Sequence, residues 1–385
     1  MTKKIADPIL TLLSLLLVSA AACASEKDGS SIASFDTPGK SVKRIRCLLT
    51  QGGRVGWSPD GHSIVFDLRS PDGWYDVWRI DADGAHRRCL TSANPEISEH
   101  NGTPAWHPSG KHIMFTAADP ALGGLESVPL ARYLKSPGIG INNNLWLTDA
   151  DGTRFWQLTQ VQPRHGVLHP HFSPDGKKLL WSEIISPRFD RMGHWAIKVA
   201  DLSFAGDEPV LRNISTMRPG NLQVYETHGF SPDGSTIVFS GIASGKHYYG
   251  FEIYTMNLLT GDLAMLTNDN EWDEHAHITP DGAQIVWAST RDIPQPKDGV
   301  TLQDTLENPP RMDLWLMNVD GSGKRRLTWL NEAGAPEYLG VPDGIGLGDL
   351  DIHPDGQRIV VKMRYGRQDM NILVELTPRG DRYHN

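Results

Sequence analysis

The chain has 385 residues, a length that suits a large repeat-built domain better than one small domain. Apolar residues make up 39%, enough with 38 Gly to build a core, and 12 Trp with 26 Pro favour many short strands and turns over long helices. A formal net charge of −9 argues against broad nucleic-acid binding and offers no basic patch to a membrane surface.

At the N-terminus, Lys3 and Lys4 precede an apolar run from Ile9 to Val18 and then Ala20-Ala21-Ala22-Cys23. Residues 1–22 therefore read as a bacterial export signal. The same place has the form of a lipoprotein signal with Cys23 as the lipidated residue, which makes a lipid anchor at Cys23 the expected membrane contact. The run itself is shorter than the roughly 20 residues that span a bilayer. Residues 23–41 read as a disordered spacer. The expected location is the periplasm or, as a lipoprotein, the outer membrane.

Residues 42–385 are dominated by six copies of one unit: VGWSPDGHSIVFD (55–67), PAWHPSGKHIMFT (104–116), PHFSPDGKKLLWS (170–182), HGFSPDGSTIVFS (228–240), AHITPDGAQIVWA (276–288) and LDIHPDGQRIVVK (350–362). Each reads as strand A, a tight turn and strand B. Pro presets φ, Asp bonds its own backbone and Gly supplies positive φ. A second hairpin, C and D, follows most copies, as in DVWRIDADGAHRRCLT (76–91) and DLWLMNVDGSGKRRLT (313–328); in the third copy, AIKVADLSFAGDEPVL (196–211), it is degraded. The steps from Pro59 to Pro108 and from Pro232 to Pro280 lie close to the about 40–45 residues of a propeller blade, and longer steps carry insertions. The last unit lacks a D strand, whereas VKRIRCLLT (42–50) is a spare one. The expected fold is all-β: a six-bladed β-propeller of four-stranded antiparallel blades, closed by the N-terminal strand. Closure puts Cys47 and Cys89 on neighbouring blades, too far apart for a disulfide, as two buried thiols. The recurring Trp57, Trp78, Trp106, Trp146, Trp181, Trp287 and Trp315 read as blade packing.

The repeated W/F-S-P-D-G and L-T motifs resemble the TolB-type, WD40-like (PD40) propeller repeat family, which is six-bladed in TolB. The resemblance covers the propeller alone, and it implies a periplasmic protein with an envelope partner.

In such a ring the D–A and B–C connections share one face. Seven of the 15 histidines (100, 165, 169, 171, 228, 275 and 277) lie just before strand A or at its start, a clustering that random placement would not favour. Counting back from each repeat Pro brings His169, His228 and His275 to this face together with Glu226, Glu274 and Asp349. Imidazole and carboxylate in that mixture suit one divalent metal such as Mn, Zn, Fe or Ni. The three histidines are the expected nitrogen ligands, with the three carboxylates as oxygen ligands or their supports. The alternative reading of the same residues is a solvated polar tunnel. Arg54, His100 and Asp351 are further ligand-binding candidates. The B–C loops add Arg188, Arg191, His194, Lys246 and Tyr248, of which Arg188, Arg191, His194 and Tyr248 are the weak catalytic candidates.

LHPHFSPDG (168–176) is also similar to the metal-binding His-Pro-His stretch of oligogalacturonate lyases, propellers of this repeat class. His169 and His171 stand two positions later than that family's pair, and the lyases have seven blades. Two functions are thus expected. The first is an exported propeller that binds a protein partner or small polar ligand at the funnel formed by the D–A and B–C loops. The alternative is a metal-dependent lyase or hydrolase acting there on an oligosaccharide-type substrate.

Overall fold

Pro-Asp-Gly turns join the first two strands of five blades, and Pro-Ser-Gly does so in blade two. Gly61 N donates to Ser58 O at 2.8 Å, Ser58 Oγ donates to Asp60 Oδ1 at 2.6 Å, and Gly61 adopts φ 70°, where a side chain is disfavoured. The computed structural model describes residues 34–36, 41–126, 131–187, 193–246, 248–295, 310–366 and 368–377. The expected signal peptide, Cys23, Arg188 and Arg191 lie outside the described residues.

Six antiparallel sheets form the ring. Blade one holds β3 (Val55–Trp57), β4 (Ser63–Arg69), β5 (Tyr75–Asp81) and β6 (Arg88–Cys89). Blade two holds β7 (Asn101–Trp106), β8 (His112–Ala118), β9 (Asn143–Asp149) and β10 (Phe155–Gln157). Blade three holds β11 (Val167–Phe172), β12 (Lys178–Ser186), β13 (His194–Ala205) and β14 (Glu208–Met217). Blade four holds β15 (Val224–Phe230), β16 (Thr236–Ile242), β17 (Phe251–Asn257) and β18 (Leu263–Met265). Blade five holds β19 (Asp273–Ile278), β20 (Gln284–Ser289), β21 (Asp313–Asn318) and β22 (Arg325–Arg326). Blade six takes β23 (Ile345–Ile352), β24 (Arg358–Tyr365) and β25 (Gln368–Leu376) from the C-terminal end of the chain and β2 (Val42–Leu49) from near its start. β2 pairs with β25 through Ile45↔Val374 and Cys47↔Ile372, so the N-terminal strand closes the ring as expected. β1 (Ser34–Asp36) adds a fifth strand outside β2, inside the segment expected to be a spacer.

Two strand features depart from the sequence reading. The hairpin of blade three is the longest of the set: β13 and β14 run for 12 and 10 residues. It does not need the L-T motif because its own ladder is long. The A strands are also not regular. Register shifts occur between Leu168 and His171, Thr227 and Gly229, Glu274 and His277, and Gly102 and Ala105. His169 and His275 sit in these bulges at φ 48° and 56°.

Blades pack through apolar seams. Fully buried Trp181 and Trp287, with Phe66, Phe115 and Phe239, fill the blade interiors. Burying such side chains stabilises the fold by about 1.5–3 kcal/mol each. The recurring Thr of the L-T motif clasps strand D to strand C. Thr328 Oγ1 accepts from Leu314 N at 2.9 Å and donates to Asp313 Oδ1 at 2.8 Å; Thr91 does the same with Val77 N and Asp76. Cys47 and Cys89 form no disulfide; Cys47 is buried and Cys89 only partly so. Among the described residues no helix is long and apolar enough to cross a membrane.

Candidate functional site

The bulged lead-ins of strands A deliver the predicted cluster. His169 from β11, His228 from β15 and His275 from β19 have ring centres 5.9–6.5 Å apart. Asp349, on β23, faces two of them: its Oδ1 lies 3.2 Å from His169 Nδ1 and 3.9 Å from His275 Nδ1. The opposite ring nitrogens meet carboxylates from blades four and five. His169 Nε2 is 3.5 Å from Glu226 Oε2, and His275 Nε2 is 3.3 Å from Glu274 Oε2. His228 Nε2 bonds Ser240 Oγ at 2.6 Å. The six residues named from sequence as metal ligands are therefore neighbours in space.

Arg54 supports this group from blade one. Its guanidinium is 3.5 Å from Asp349 Oδ2 and 3.5 Å from Asp67 Oδ2, and Asp67 is fully buried. Gly138 has no side chain where Arg54 passes, since a Cβ there would lie 1.8 Å from Nη2. Burial opposes the charge on Arg54, but Asp67 and Asp349 raise its pKa further above the normal value. Burial likewise opposes ionisation of Asp349, yet His275, Arg54 and His169 hold it well below the usual carboxylate range.

Glu226 shows the opposite behaviour. Burial, and then the neighbouring Glu274, push it well above a normal carboxyl. Two acids forced together in a buried place are what a bound cation would relieve. Burial also keeps His228 neutral far below its ordinary range, as a metal-ligating imidazole must be.

The donor set therefore fits a divalent transition metal. Asp349 lies on the Nδ1 side of His169 and His275, and their Nε2 atoms face the glutamates. No three of these donor atoms lie within 4.8 Å of one another, so the side chains would draw together around an ion. A tighter group, with donor atoms all within 4.8 Å of one another, is Glu252, Asp269 and Asp273 at the junction of blades four and five.

The remaining candidates are placed elsewhere. His171 and His277 form a second pair, ring centres 5.7 Å apart; His171 bonds Thr227 O at 3.0 Å, and burial lowers His277 to about 4. Asp351 accepts from Trp57 N at 2.6 Å and Ile352 N at 2.8 Å, which ties blade six to blade one. His100 uses both ring nitrogens: Tyr75 N donates to Nδ1 at 3.3 Å, and Nε2 bonds Arg132 O at 2.9 Å, which pins the B–C loop of blade two. His194 opens β13 opposite Ser186, away from the cluster's partners. Lys246 reaches Asn270 Oδ1 at 3.4 Å. Tyr248 belongs to a short 3-10 turn whose side chain lies outside the described residues.

Three further residues belong with the cluster: Asp67, Ser240 and Lys362, whose charge also bears on His275. All three stand eight positions after a repeat Pro, where Thr116 and Ser182 fill the same place. Counting forward as well as backward from the turn would have found them.

No protein-family profile matches the chain. The uncharacterized protein Atu1656 of Agrobacterium fabrum is 29% identical over 234 residues, 61% of this chain and 59% of that protein. TolB from Acinetobacter baumannii superposes with a TM-score of 0.52 at 15% identity, covering 83% of this chain and 64% of that one. A TolB candidate from Agrobacterium tumefaciens gives 0.52 at 16% identity, with 91% and 100% coverage. The fold is that of a TolB-type propeller. The chain thus spans less than two thirds of the length of the relatives from Agrobacterium fabrum and Acinetobacter baumannii. Oligogalacturonate lyase propellers are also structural neighbours, one in complex with manganese at a TM-score of 0.48.

Proposed function

We propose that this TolB-type propeller is exported and binds a small polar ligand in its funnel, at a divalent metal centre. The observation that carries the reading is the approach of Glu226 and Glu274 to the Nε2 atoms of His169 and His275, at 3.5 and 3.3 Å. His169, His228 and His275 would supply nitrogen to Mn, Zn, Fe or Ni, and Glu226 and Glu274 oxygen. When bound, the metal supplies a Lewis acid that holds and polarises an oxygen of the ligand.

The chain's own side chains do the rest. Asp349 orients His169 from 3.2 Å at its Nδ1, its charge also faces His275 from 3.9 Å, and Arg54 fixes Asp349. Arg54 is itself fixed by Asp67, so the ligand-facing groups rest on a rigid, buried base. The long D–A and B–C connections are where a ligand or envelope partner would be selected. The N-terminal segment adds a second part: residues 1–22 as export signal, 23–41 as a tether and Cys23 as its lipid anchor.

Calorimetric titration of the chelator-treated protein with MnCl2, NiCl2 or ZnCl2 tests the site. One saturable equivalent is expected. His275→Ala and His169→Ala should each weaken it by at least about tenfold, and a variant with unchanged affinity would remove that residue from the ligand set.

A further inference from the structure

The junction of blades four and five carries a second chemistry beside the funnel cluster, since Asp273 directly precedes Glu274 on β19. Glu252 stands on β17, Asp269 in the link between β18 and β19, and Asp273 at the start of β19. One oxygen from each lies within 4.8 Å of the others, and no nitrogen or sulfur donor joins them.

The repeat provides its own comparison. Glu252 occupies the place that Asp313 holds in blade five and Asp76 in blade one, beside the clasping Thr. In blade five Asp313 Oδ1 accepts from Thr328 Oγ1 and Leu330 N, both at 2.8 Å, and Oδ2 accepts from Arg326 Nη2 at 2.8 Å. In blade one Asp76 Oδ2 accepts from Ser70 Oγ at 3.1 Å. Both oxygens are used in each case. Glu252 is one methylene longer. Its Oε1 keeps a looser form of the clasp, accepting from Asp269 N and Asn270 N at 3.3 and 3.4 Å. Its Oε2 is buried and has no hydrogen-bond partner among the described residues, although Glu252 is only 7% exposed.

Charge balance points the same way. Asp273 is fully buried; Trp287 Nε1 donates to its Oδ1 at 2.9 Å, and its Oδ2 faces Arg291 Nη2 at 3.6 Å without a hydrogen bond. Arg291 also pairs with Asp269. One guanidinium thus serves two of three carboxylates, and none is paired to Glu252. Burial pushes Glu252 up to about 7, the response of an acid short of a cation.

We propose that Glu252, Asp269 and Asp273 bind a hard divalent cation, Ca2+ or Mg2+, with Arg291 as its competitor for the same oxygens. An all-oxygen set suits these ions, whereas the nitrogen-rich funnel suits a transition metal, so the two sites separate by ion. Three carboxylates from β17, the D–A link and β19 would then clamp blade four to blade five.

The test is a titration of the chelator-treated full chain with CaCl2, and separately MgCl2, followed by tryptophan emission and melting. Trp287 bonds Asp273, and Arg291 lies 5.3 Å from the Trp315 ring, so both indoles report on the site. A saturable change in emission and a rise in melting temperature are expected. Asp269→Asn and Glu252→Gln should each weaken calcium binding at least about tenfold while melting near the wild type in chelator. Arg291→Gln should bind calcium more tightly, a sign that a merely structural arginine would not give. His275→Ala should keep the wild-type calcium response. No saturable response to either ion overturns the proposal. So does an Asp269→Asn chain with wild-type affinity, or a folded Arg291→Gln chain that binds no more tightly.

Discussion

Asp349 is where the candidate funnel site is decided. Its Oδ1 lies 3.2 Å from His169 Nδ1 and 3.9 Å from His275 Nδ1, and its Oδ2 faces Arg54, so one carboxylate places its charge against two imidazoles and is itself held by a cation. Asp349→Asn keeps the shape but removes the charge. Metal affinity should then fall by about 10–100-fold with melting little changed, as read by calorimetry and a thermal scan. Unchanged affinity would make Asp349 a spectator. The residue types at this site were legible: three histidines and three carboxylates emerged from counting back from each repeat Pro. Their local geometry was not. A strand places residues two apart on one face, which would make His169 and His171 equivalent. The bulge at His169, with its left-handed φ of 48°, instead sends His169 to Glu226 and Asp349 and leaves His171 with His277. Leu-His-Pro-His does not announce that bulge, because it holds no glycine and any other residue adopts positive φ only uncommonly.

At the level of strands and turns, the repeat proline is preceded by Ser or Thr in four copies and by His in two. Ser173 and Ser231 close their own turns through Asp175 and Asp233. His107 and His353 do more. His107 Nε2 bonds Gly176 O at 3.1 Å in blade three, and His353 Nε2 bonds Gly61 O at 3.2 Å in blade one. His353 therefore staples the seam where the two ends of the ring meet, beside the Asp351–Trp57 bond. His353→Ala should lower stability by about 1–2 kcal/mol in denaturant melts, because a buried carbonyl loses its donor. Gly61→Ala should cost more, since a Cβ there would lie 2.0 Å from His353 Nε2 and the residue sits at φ 70°. If both variants melt like the wild type, the seam is held by apolar packing alone. The strands were readable because Pro-Asp-Gly and L-T fix both hairpins. Blade three was misjudged for a physical reason: β13 and β14 replace the Thr clasp with a longer ladder, so the motif is absent where the hairpin is strongest.

Across the whole molecule, ring closure by β2 was legible because VKRIRCLLT copies the D strand that the last unit lacks. The same closure puts Cys47 and Cys89 on neighbouring blades without a disulfide, so reductant should leave the melting temperature unchanged. A fall of several degrees on reduction would contradict that arrangement. Export is tested by fractionation: Cys23→Ser should move the protein from the membrane to the soluble periplasmic fraction, and retention in the membrane would refute the lipid anchor. Function was less legible than fold. The propeller follows from local repeats, whereas the funnel joins residues as far apart in sequence as Arg54, His169 and Asp349, and only the closed ring brings them together. The most direct test of that assembly is the metal content of the purified mature protein by mass spectrometry. About one equivalent of Mn, Fe, Ni or Zn per chain is expected in the wild type, and almost none in the His169→Ala, His275→Ala double variant. A folded wild-type protein that carries no transition metal, and takes none up when it is supplied, would contradict the metal-centred funnel.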